Sequence, residues 1–292
     1  MTFRPMKGVA LEPGDRVTFP KLASFKINGI RAVWFGKEFM SSKMITLPNR
    51  ELQKVGMSIL GTGRSGFDGE LCYGEPTAPE VYDLTRVVVM TRGATAHNLR
   101  LFAFDHAEYQ GGYADRVNQL DELYPFVVRL DQRVITSMEE LQEHYAFALA
   151  SGYEGLVLRD PVGPYKHGRS TLREQYMLKL KPKKDAEARV IGFEELEHNA
   201  NEAETNALGL TKRSSAKDGK VPMNTLGAVI VDWHGQPLNI GTFKGFTKAE
   251  LQRVWNVREK YLGQLAKFQY FMIGSKGLPL HPRMIGWRHA AD

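Results

Sequence analysis

The first residue of this 292-residue chain whose type and setting invite covalent chemistry is Lys26. It opens the run Lys26-Ile27-Asn28-Gly29-Ile30-Arg31 inside an apolar, strand-like stretch from Leu22 to Phe35. A lysine facing inward there is costly unless it has a purpose. One purpose is nucleophilic attack on the α-phosphate of a nucleotide, which needs a neutral amine. At a pKa of about 10.4, only about one part in a thousand is neutral near pH ~7.4, and full availability is a shift of about three units, roughly 4 kcal/mol. Burial and neighbouring cations both push in that direction. The plain alternative is a surface lysine beside a hairpin turn made by Asn28-Gly29.

Other segments carry groups that a nucleotide needs. Phe67-Asp68-Gly69-Glu70-Leu71-Cys72-Tyr73 puts Glu70 and Cys72 on one face of a strand, where Glu70 could bind a ribose hydroxyl or a metal or could simply face solvent. Leu101-Phe102-Ala103-Phe104-Asp105 is almost continuously apolar. Phe104 at its end could stack on a purine, worth about 1–3 kcal/mol in nucleic-acid complexes, or belong to the core. Glu154 stands directly before the apolar run Gly155-Leu156-Val157-Leu158-Arg159, placed to hold Mg²⁺ through oxygen or water or to sit as ordinary charge at a helix end. In Met177-Leu178-Lys179-Leu180-Lys181 the alternation sends both lysines to one side. Two cations side by side repel unless a phosphate lies between them, and their field would depress the pKa of a nearby Lys26. Lysines protecting an exposed edge strand would read the same way.

The elements that position these groups follow from periodicity. Strands are expected over Leu22 to Phe35, Gly66 to Tyr73, Leu99 to Phe104 and Gly155 to Arg159. A helix is expected from Ser137 to Ser151, with a Ser137/Glu140 capping box, an apolar stripe of Leu141, Tyr145 and Leu149, and Gly152 closing it. The pattern breaks at Pro182 to Asp185, which sets the domain boundary as residues 1–185 and 186–292. Beyond it come short strands at Ala188 to Phe193, Ala228 to Trp233, Pro237 to Thr242 and Leu265 to Ile273, with a helix over Thr247 to Leu262. Such a set suits a small barrel of the OB type. The polar segment Glu194 to Asn224 reads as a long loop or an extended hairpin.

Composition narrows the class without deciding it. A 42% hydrophobic chain of this length buries a real core. The single cysteine, Cys72, excludes an internal disulfide framework and suits a reducing cytoplasm. No Cys/His run has zinc spacing. Met1 to Ala10 lacks the apolar core of a signal peptide, and no apolar run is long enough to span a bilayer, so a soluble protein with no membrane partner is expected. A net charge of +6 favours a polyanionic partner only weakly. Its distribution is more telling: Lys166, Arg169, Arg173, Lys179, Lys181, Lys183 and Lys184 face a single acid, Glu174, between Tyr165 and Lys184. A second cluster holds Lys212, Arg213, Lys217 and Lys220.

Read in order, KINGIR, FDGELCY, LFAFD, EGLVLR and LKLK resemble the motifs of the covalent nucleotidyltransferase superfamily, which contains ATP-dependent DNA ligases, RNA ligases and mRNA capping enzymes. The run from Leu178 to Ala188, with its Asp185-Ala186-Glu187-Ala188, is similar to the DNA ligase version. So are Asn199-Ala200-Asn201-Glu202, Leu226-Gly227-Ala228, Ile240-Gly241-Thr242, Gly245-Phe246-Thr247 and His281-Pro282-Arg283 before Trp287-Arg288. The resemblance covers nearly the whole chain and lies nearest the small viral and phage DNA ligases. It implies an α+β fold: an adenylation domain of antiparallel sheets with flanking helices, then an OB-fold domain. It implies Lys26 as the adenylated nucleophile, Arg31 and Glu70 on the ribose, Phe104 on the adenine, Lys179 and Lys181 on the phosphates, and Glu154 on Mg²⁺ or Mn²⁺. The implied activity consumes ATP to seal 3′-hydroxyl/5′-phosphate nicks in duplex DNA through lysyl-AMP and DNA-adenylate, as a monomer, in the host cytoplasm if phage-encoded.

Three positions depart from the family pattern. Asn28 stands where the first motif usually has aspartate. Ser41-Ser42-Lys43 stands where Ser-Arg is common. The C-terminus, Trp287 to Asp292, lacks the usual Arg-Asp-Asp-Lys, leaving Arg283 and Arg288 as substitutes.

Overall fold

Strand alternation and two sharp breaks in pattern account for most of the architecture. The computed structural model describes residues 3–12, 14–123, 125–205, 211–271, 273–274 and 276–288. The tail beyond Arg288, the middle of the segment expected between Glu194 and Asn224, and Met272 in the strand expected over Leu265 to Ile273 lie outside the described residues. The chain divides after Lys181 into two compact units.

The first unit holds β1 (Val9–Ala10), β2 (Lys21–Lys26), β3 (Ile30–Phe35), β4 (Glu38–Ser41), β5 (Phe67–Tyr73), β6 (Leu99–His106), β7 (Val127–Arg129), β8 (Arg133–Ile135), β9 (Gly155–Arg159) and β10 (Met177–Leu180). Its helices are α1 (Arg50–Ile59), α2 (Val81–Met90), α3 (Tyr113–Asn118) and α4 (Met138–Ala150). Among the described residues the strands form two five-stranded sheets, ordered β1-β10-β9-β2-β8 and β4-β3-β5-β6-β7. Each is antiparallel except at one edge, where β1 runs parallel to β10 and β7 to β6. The first sheet packs its core against α4 through Leu141, Ala148, Leu156 and Leu158. The second buries Trp34, Phe39, Leu71 and Leu101 beneath its helices.

The apolar run from Leu22 to Phe35 is not one strand. It breaks at Ile27–Gly29, sending β2 into one sheet and β3 into the other, so Asn28-Gly29 is a crossing between sheets and not a hairpin. Gly29 is required at the crossing, because a Cβ there would lie 2.2 Å from the Leu71 carbonyl oxygen.

The expected helix is present as α4, with Ser137 Oγ accepting from Glu140 N at 3.2 Å. The Glu140 carboxylate caps Thr136 instead of Ser137, accepting from its amide at 2.7 Å. The buried stripe is Leu141, His144 and Ala148, while Leu149 is exposed, so the buried face is rotated from the expected Leu141, Tyr145 and Leu149.

The second unit contains β11 (Lys184–Asn199), β12 (Ala203–Thr205), β13 (Thr211–Arg213), β14 (Lys220–Trp233), β15 (Gln236–Ile240), α5 (Lys248–Asn256), β16 (Leu265–Tyr270) and β17 (Arg283–Trp287). Five strands order as β15-β14-β11-β16-β17. The sheet curls until the segment after β15 meets β17: Met284 N donates to Thr242 O and Lys244 N to Met284 O, both at 2.8 Å. The result is a closed small barrel around Val229, Val231, Ile240 and Phe268. Bulges along β11 let so long a strand bend. The segment expected as a loop or hairpin is an extended hairpin, with β11 paired to β14 out to Asn199 opposite Lys220 and β12 paired to β13 beyond it. The expected helix over Thr247 to Leu262 is α5 followed by a 3₁₀ turn from Arg258 to Tyr261, and its start carries a Thr247/Glu250 capping box.

Candidate functional site

Pairing between β2 and β9 sets Lys26 opposite Gly155, which brings Glu154 alongside the lysine. The backbone fixes the approach, with Glu154 N donating to Lys26 O at 2.9 Å. Gly155 has φ +143°, and a Cβ there would stand 2.1 Å from the Leu180 carbonyl oxygen. Only glycine fits between β2 and β10. The Lys26 Nζ donates to Glu154 Oε2 in an ion pair whose side chains are 18% and 8% exposed. Lys26 therefore does not point into open water.

A pocket opens beside this pair, with about 480 Å³ of empty space when the solvent at its mouth is included. Lys26, Arg31, Glu70, Phe104 and Lys179 all line it, although they come from five different strands. Lys181 is not among its lining residues, because β10 ends at Leu180 and the chain then turns into Pro182. Of the residues singled out in sequence, then, five share the cavity wall, Glu154 reaches it through Lys26, and Lys181 lies just past the strand.

Electrostatics differ sharply around the wall. Burial pushes the Glu70 carboxyl up to about 7, against the pull of Lys26 and Arg31, with Glu154 adding to the rise. Burial lowers the Lys179 ammonium to about 8, and the neighbouring Lys26 and Arg31 lower it further. Both groups thus titrate near neutrality, which is common where chemistry is done.

Sequence reading missed a network of arginines and aspartates behind Phe104. The Arg31 guanidinium is committed to Asp68, at 2.9 and 2.5 Å, and donates to the Met6 carbonyl. That pairing with Asp68 keeps Arg31 charged despite its burial. Tyr165 Oη donates to Asp68 Oδ2 at 2.7 Å. Asp105 accepts from Arg116 Nε at 2.8 Å and from Arg159 Nη1 at 2.6 Å. Arg31 and Arg159 each place their guanidinium carbon 5.5 Å from the Phe104 ring centre. The phenylalanine is thereby held by two fixed cations. The missed signal was present: a carboxylate ending an apolar run such as Asp105 must find a partner if the run is buried. Ser24, Val157 and Met177, also on the cavity wall, carried no comparable signal.

Carboxylate oxygens are the donors a hard divalent cation takes, so Glu154, with Glu70 nearby, fits Mg²⁺ or Mn²⁺. No cluster of three or more His, Cys, Asp or Glu side chains suited to a metal occurs among the described residues. An ion here would keep waters and lean on phosphate oxygens. No helix of the described residues is long and apolar enough to cross a membrane.

No protein-family model matches the chain. A probable DNA ligase of a Mycobacterium species is 30% identical over 159 residues, which is 52% of this chain and 27% of that protein. The chain therefore spans about a quarter of that relative's length. The solved DNA ligase-adenylate of Chlorella virus is 28% identical, with a TM-score of 0.54 over 99% of this chain and 100% of that one. A solved Lig E DNA ligase has a TM-score of 0.74 over 99% of this chain and 100% of that one. At 21% identity, that likeness is one of fold.

Proposed function

We propose, since the chain belongs to the ATP-dependent DNA ligases, whose adenylation domain and OB-fold it shares, that it seals nicks in duplex DNA through an adenylate carried on Lys26. The observation that carries this reading is the Lys26–Glu154 pair at the mouth of a cavity also lined by Arg31, Glu70, Phe104 and Lys179. It unites one nucleophile, an aromatic platform, a ribose-binding carboxylate and a phosphate-binding cation.

In this reading Nζ attacks the α-phosphorus of ATP, forming the N–P bond as pyrophosphate leaves. The 5′-phosphate oxygen of the nick then displaces Lys26, taking AMP, and the 3′-hydroxyl attacks that phosphate as AMP leaves. Each displacement is in line, so positioning and charge stabilisation supply the catalysis. Phe104 stacks on the base, and Glu70 accepts from the ribose. Lys179 meets the phosphates, with Lys181 following when they extend past the strand. Arg31 supports Phe104 and Asp68 with its guanidinium already paired. To attack, the Lys26 ammonium gives up a proton to solvent so that Nζ presents a lone pair; the ion pair with Glu154 is thereby lost, and the Glu154 carboxylate becomes available to hold a divalent cation. Mg²⁺, when bound, neutralises phosphate charge as it does in phosphoryl transfer generally.

Lys26→Ala should abolish the covalent adduct formed with labelled ATP. An adduct that persists would remove Lys26 from the mechanism. Labelled GTP giving the adduct instead would make the chain a capping-type enzyme, and sealing of nicked RNA in preference to DNA would make it an RNA ligase.

DNA binding is the second part of the proposal. In the barrel unit, exposed Lys212, Arg213 and Lys217 cluster about the extended hairpin, with Lys220 beside them paired to Glu197 at 3.2 Å. This hairpin would close on the duplex, with the protein acting as a monomer. Neutralising Lys212, Arg213 and Lys217 should flatten the salt dependence of nick affinity by a log–log slope of roughly 0.9 for each phosphate no longer neutralised, while ATP adduct formation is spared. An unchanged slope would retire the hairpin from DNA binding.

A further inference from the structure

The wall of the pocket beside Lys26 holds a buried cation that the proposed chemistry leaves unused. Arg159 is 1% exposed and lines the cavity from the far end of β9, four residues along from the Gly155 that faces Lys26. Its position is fixed: Nη1 donates to Asp105 Oδ2 at 2.6 Å and lies 3.8 Å from Met6 Sδ, while the guanidinium carbon sits 4.8 Å from the centre of the Tyr113 ring. That leaves the rest of the fork over. The Nε–H is buried, and neither it nor Nη2 has an acceptor among the described residues. A guanidinium so deeply buried rarely keeps an N–H without a partner, because leaving one unpaired is unfavourable.

The surroundings narrow what could satisfy it. Val157, Met177, Leu130 and Phe25 on the cavity wall offer apolar side chains. Ser24, a hydroxyl on the same wall opposite Val157, makes no hydrogen bond to Arg159, so the open N–H is left for an acceptor that a ligand brings. Lys26, which would meet phosphate, lies at the opposite end of the β2–β9 pairing, facing Gly155 where Leu22 faces Arg159; on β10 Lys179 faces Val157 and Met177 faces Arg159, so both lysines stand on the Gly155 side of Arg159. Phe104, the platform for the base, is in contact with Arg159 itself. What reaches Arg159 is thus the base, whose heteroaromatic ring nitrogens are acceptors.

We propose that Arg159, oriented by Asp105, is a specificity-determining residue that donates from its unpaired N–H groups to a ring nitrogen of the nucleotide's purine. This rests on the proposed function, because it takes the cavity to be the ATP site. It adds a fixed cationic donor to the stacking that Phe104 offers the base, and a reader of this kind discriminates strongly against a ligand that lacks the matching acceptor.

The test compares ATP with its 1-deaza, 3-deaza and 7-deaza analogues, each replacing one acceptor nitrogen by C–H. Affinity is measured by direct binding and by competition in the adduct assay, in the wild type and in Arg159→Lys. The lysine keeps a positive charge for Asp105 but loses the planar fork, and its melting temperature is recorded alongside. One analogue should bind the wild type about tenfold to a hundredfold more weakly than ATP, and that deficit should shrink in Arg159→Lys. Three analogues that all match ATP in the wild type would overturn the assignment, even if the variant fails to fold. A deficit of equal size in wild type and folded variant would also overturn it, because the acceptor would then be read by another group. A wild type that neither binds ATP nor forms an adduct would take down the proposed function and this inference together, whereas normal adduct formation with a flat deaza series removes the inference alone.

Discussion

Two pairs of carboxylates in the first unit show how one fold separates structure from chemistry. Asp68 and Asp105 are fully buried, and their partners are the arginines Arg31, Arg116 and Arg159. Glu70 and Glu154 lie a short way off, on the cavity side, and their charged neighbours include the lysines Lys26 and Lys179. Asp68 and Glu70 are only two residues apart on β5, with a register shift between them at Asp68/Gly69. Arginine cannot give up its proton in a protein and grips a carboxylate with a rigid fork, so its pairs are permanent. Lysine is a point charge that shifts its pKa readily and can exchange partners. The arginine pairs fix the wall, and the lysines Lys26 and Lys179 face the cavity.

The largest effect expected from breaking this division is on stability. Asp105→Asn keeps the shape of the side chain but leaves Arg116 and Arg159 buried without their counter-charge, and removal of one member of a buried ion pair costs about 3–5 kcal/mol. Urea unfolding should show that loss. Glu154→Gln, facing a lysine that stays partly open to water, should cost far less while crippling adduct formation. If the two substitutions destabilise equally, the distinction between permanent and exchangeable pairs is wrong.

Glu70 provides a sharper and smaller test, with the opposite sign. Its carboxyl is raised to about 7 in the folded protein, mainly by burial, from an ordinary value near 4.5. Between those values the folded state binds more protons than the unfolded one, so stability falls as pH rises through the window. Above pH ~7 the native protein carries a buried ionised carboxylate at full cost. Glu70→Gln should therefore raise the melting temperature at pH ~8, and the gain should fade as pH falls toward ~4.5. ATP affinity should drop in the same variant, as it does when a site for binding has been kept at the expense of stability. A variant less stable than wild type at pH ~8 would place Glu70 with the structural carboxylates.

The sequence disclosed the cavity wall far better than what stands behind it. Alternation within a single strand told which face Glu70 and Lys179 each take, whereas the roles expected of them and of Phe104 came from the resemblance of the motifs. The Lys26–Glu154 pair could not be read from alternation, since it depends on the β2–β9 register between residues 128 apart. Nor could Asp105 be matched with Arg159, 54 residues away, because no local pattern reveals which distant strand end will approach. Lys181 shows the limit of alternation itself: the pattern continues through it, but the strand ends at Leu180 before Pro182. In the second unit the short strands were readable, whereas closure of the barrel depends on hydrogen bonds between Thr242–Lys244 and Met284, which no periodicity encodes. Helix α4 was found from its cap, yet its buried face was misjudged, because His144 is taken inward beside Phe25 at 5.1 Å while Leu149 stays exposed.

The finest expected effect lies in the pH profile of self-adenylation. With Glu70 raised to about 7 and Lys179 lowered to about 8, kcat/KM for ATP should fall on the acid side as Glu70 loses the charge proposed to accept from the ribose. It should fall on the alkaline side as Lys179 loses the charge proposed to meet phosphate, leaving an optimum between the two. Lys179→Arg separates the limbs, because arginine stays protonated across this range. The variant should lose the alkaline fall while keeping the acid one, though its planar head fits the narrow wall less well and lowers the plateau. An alkaline limb that survives this substitution would mean that another group controls it. Lys179 would then belong with the permanent cations, despite lining the cavity beside Lys26.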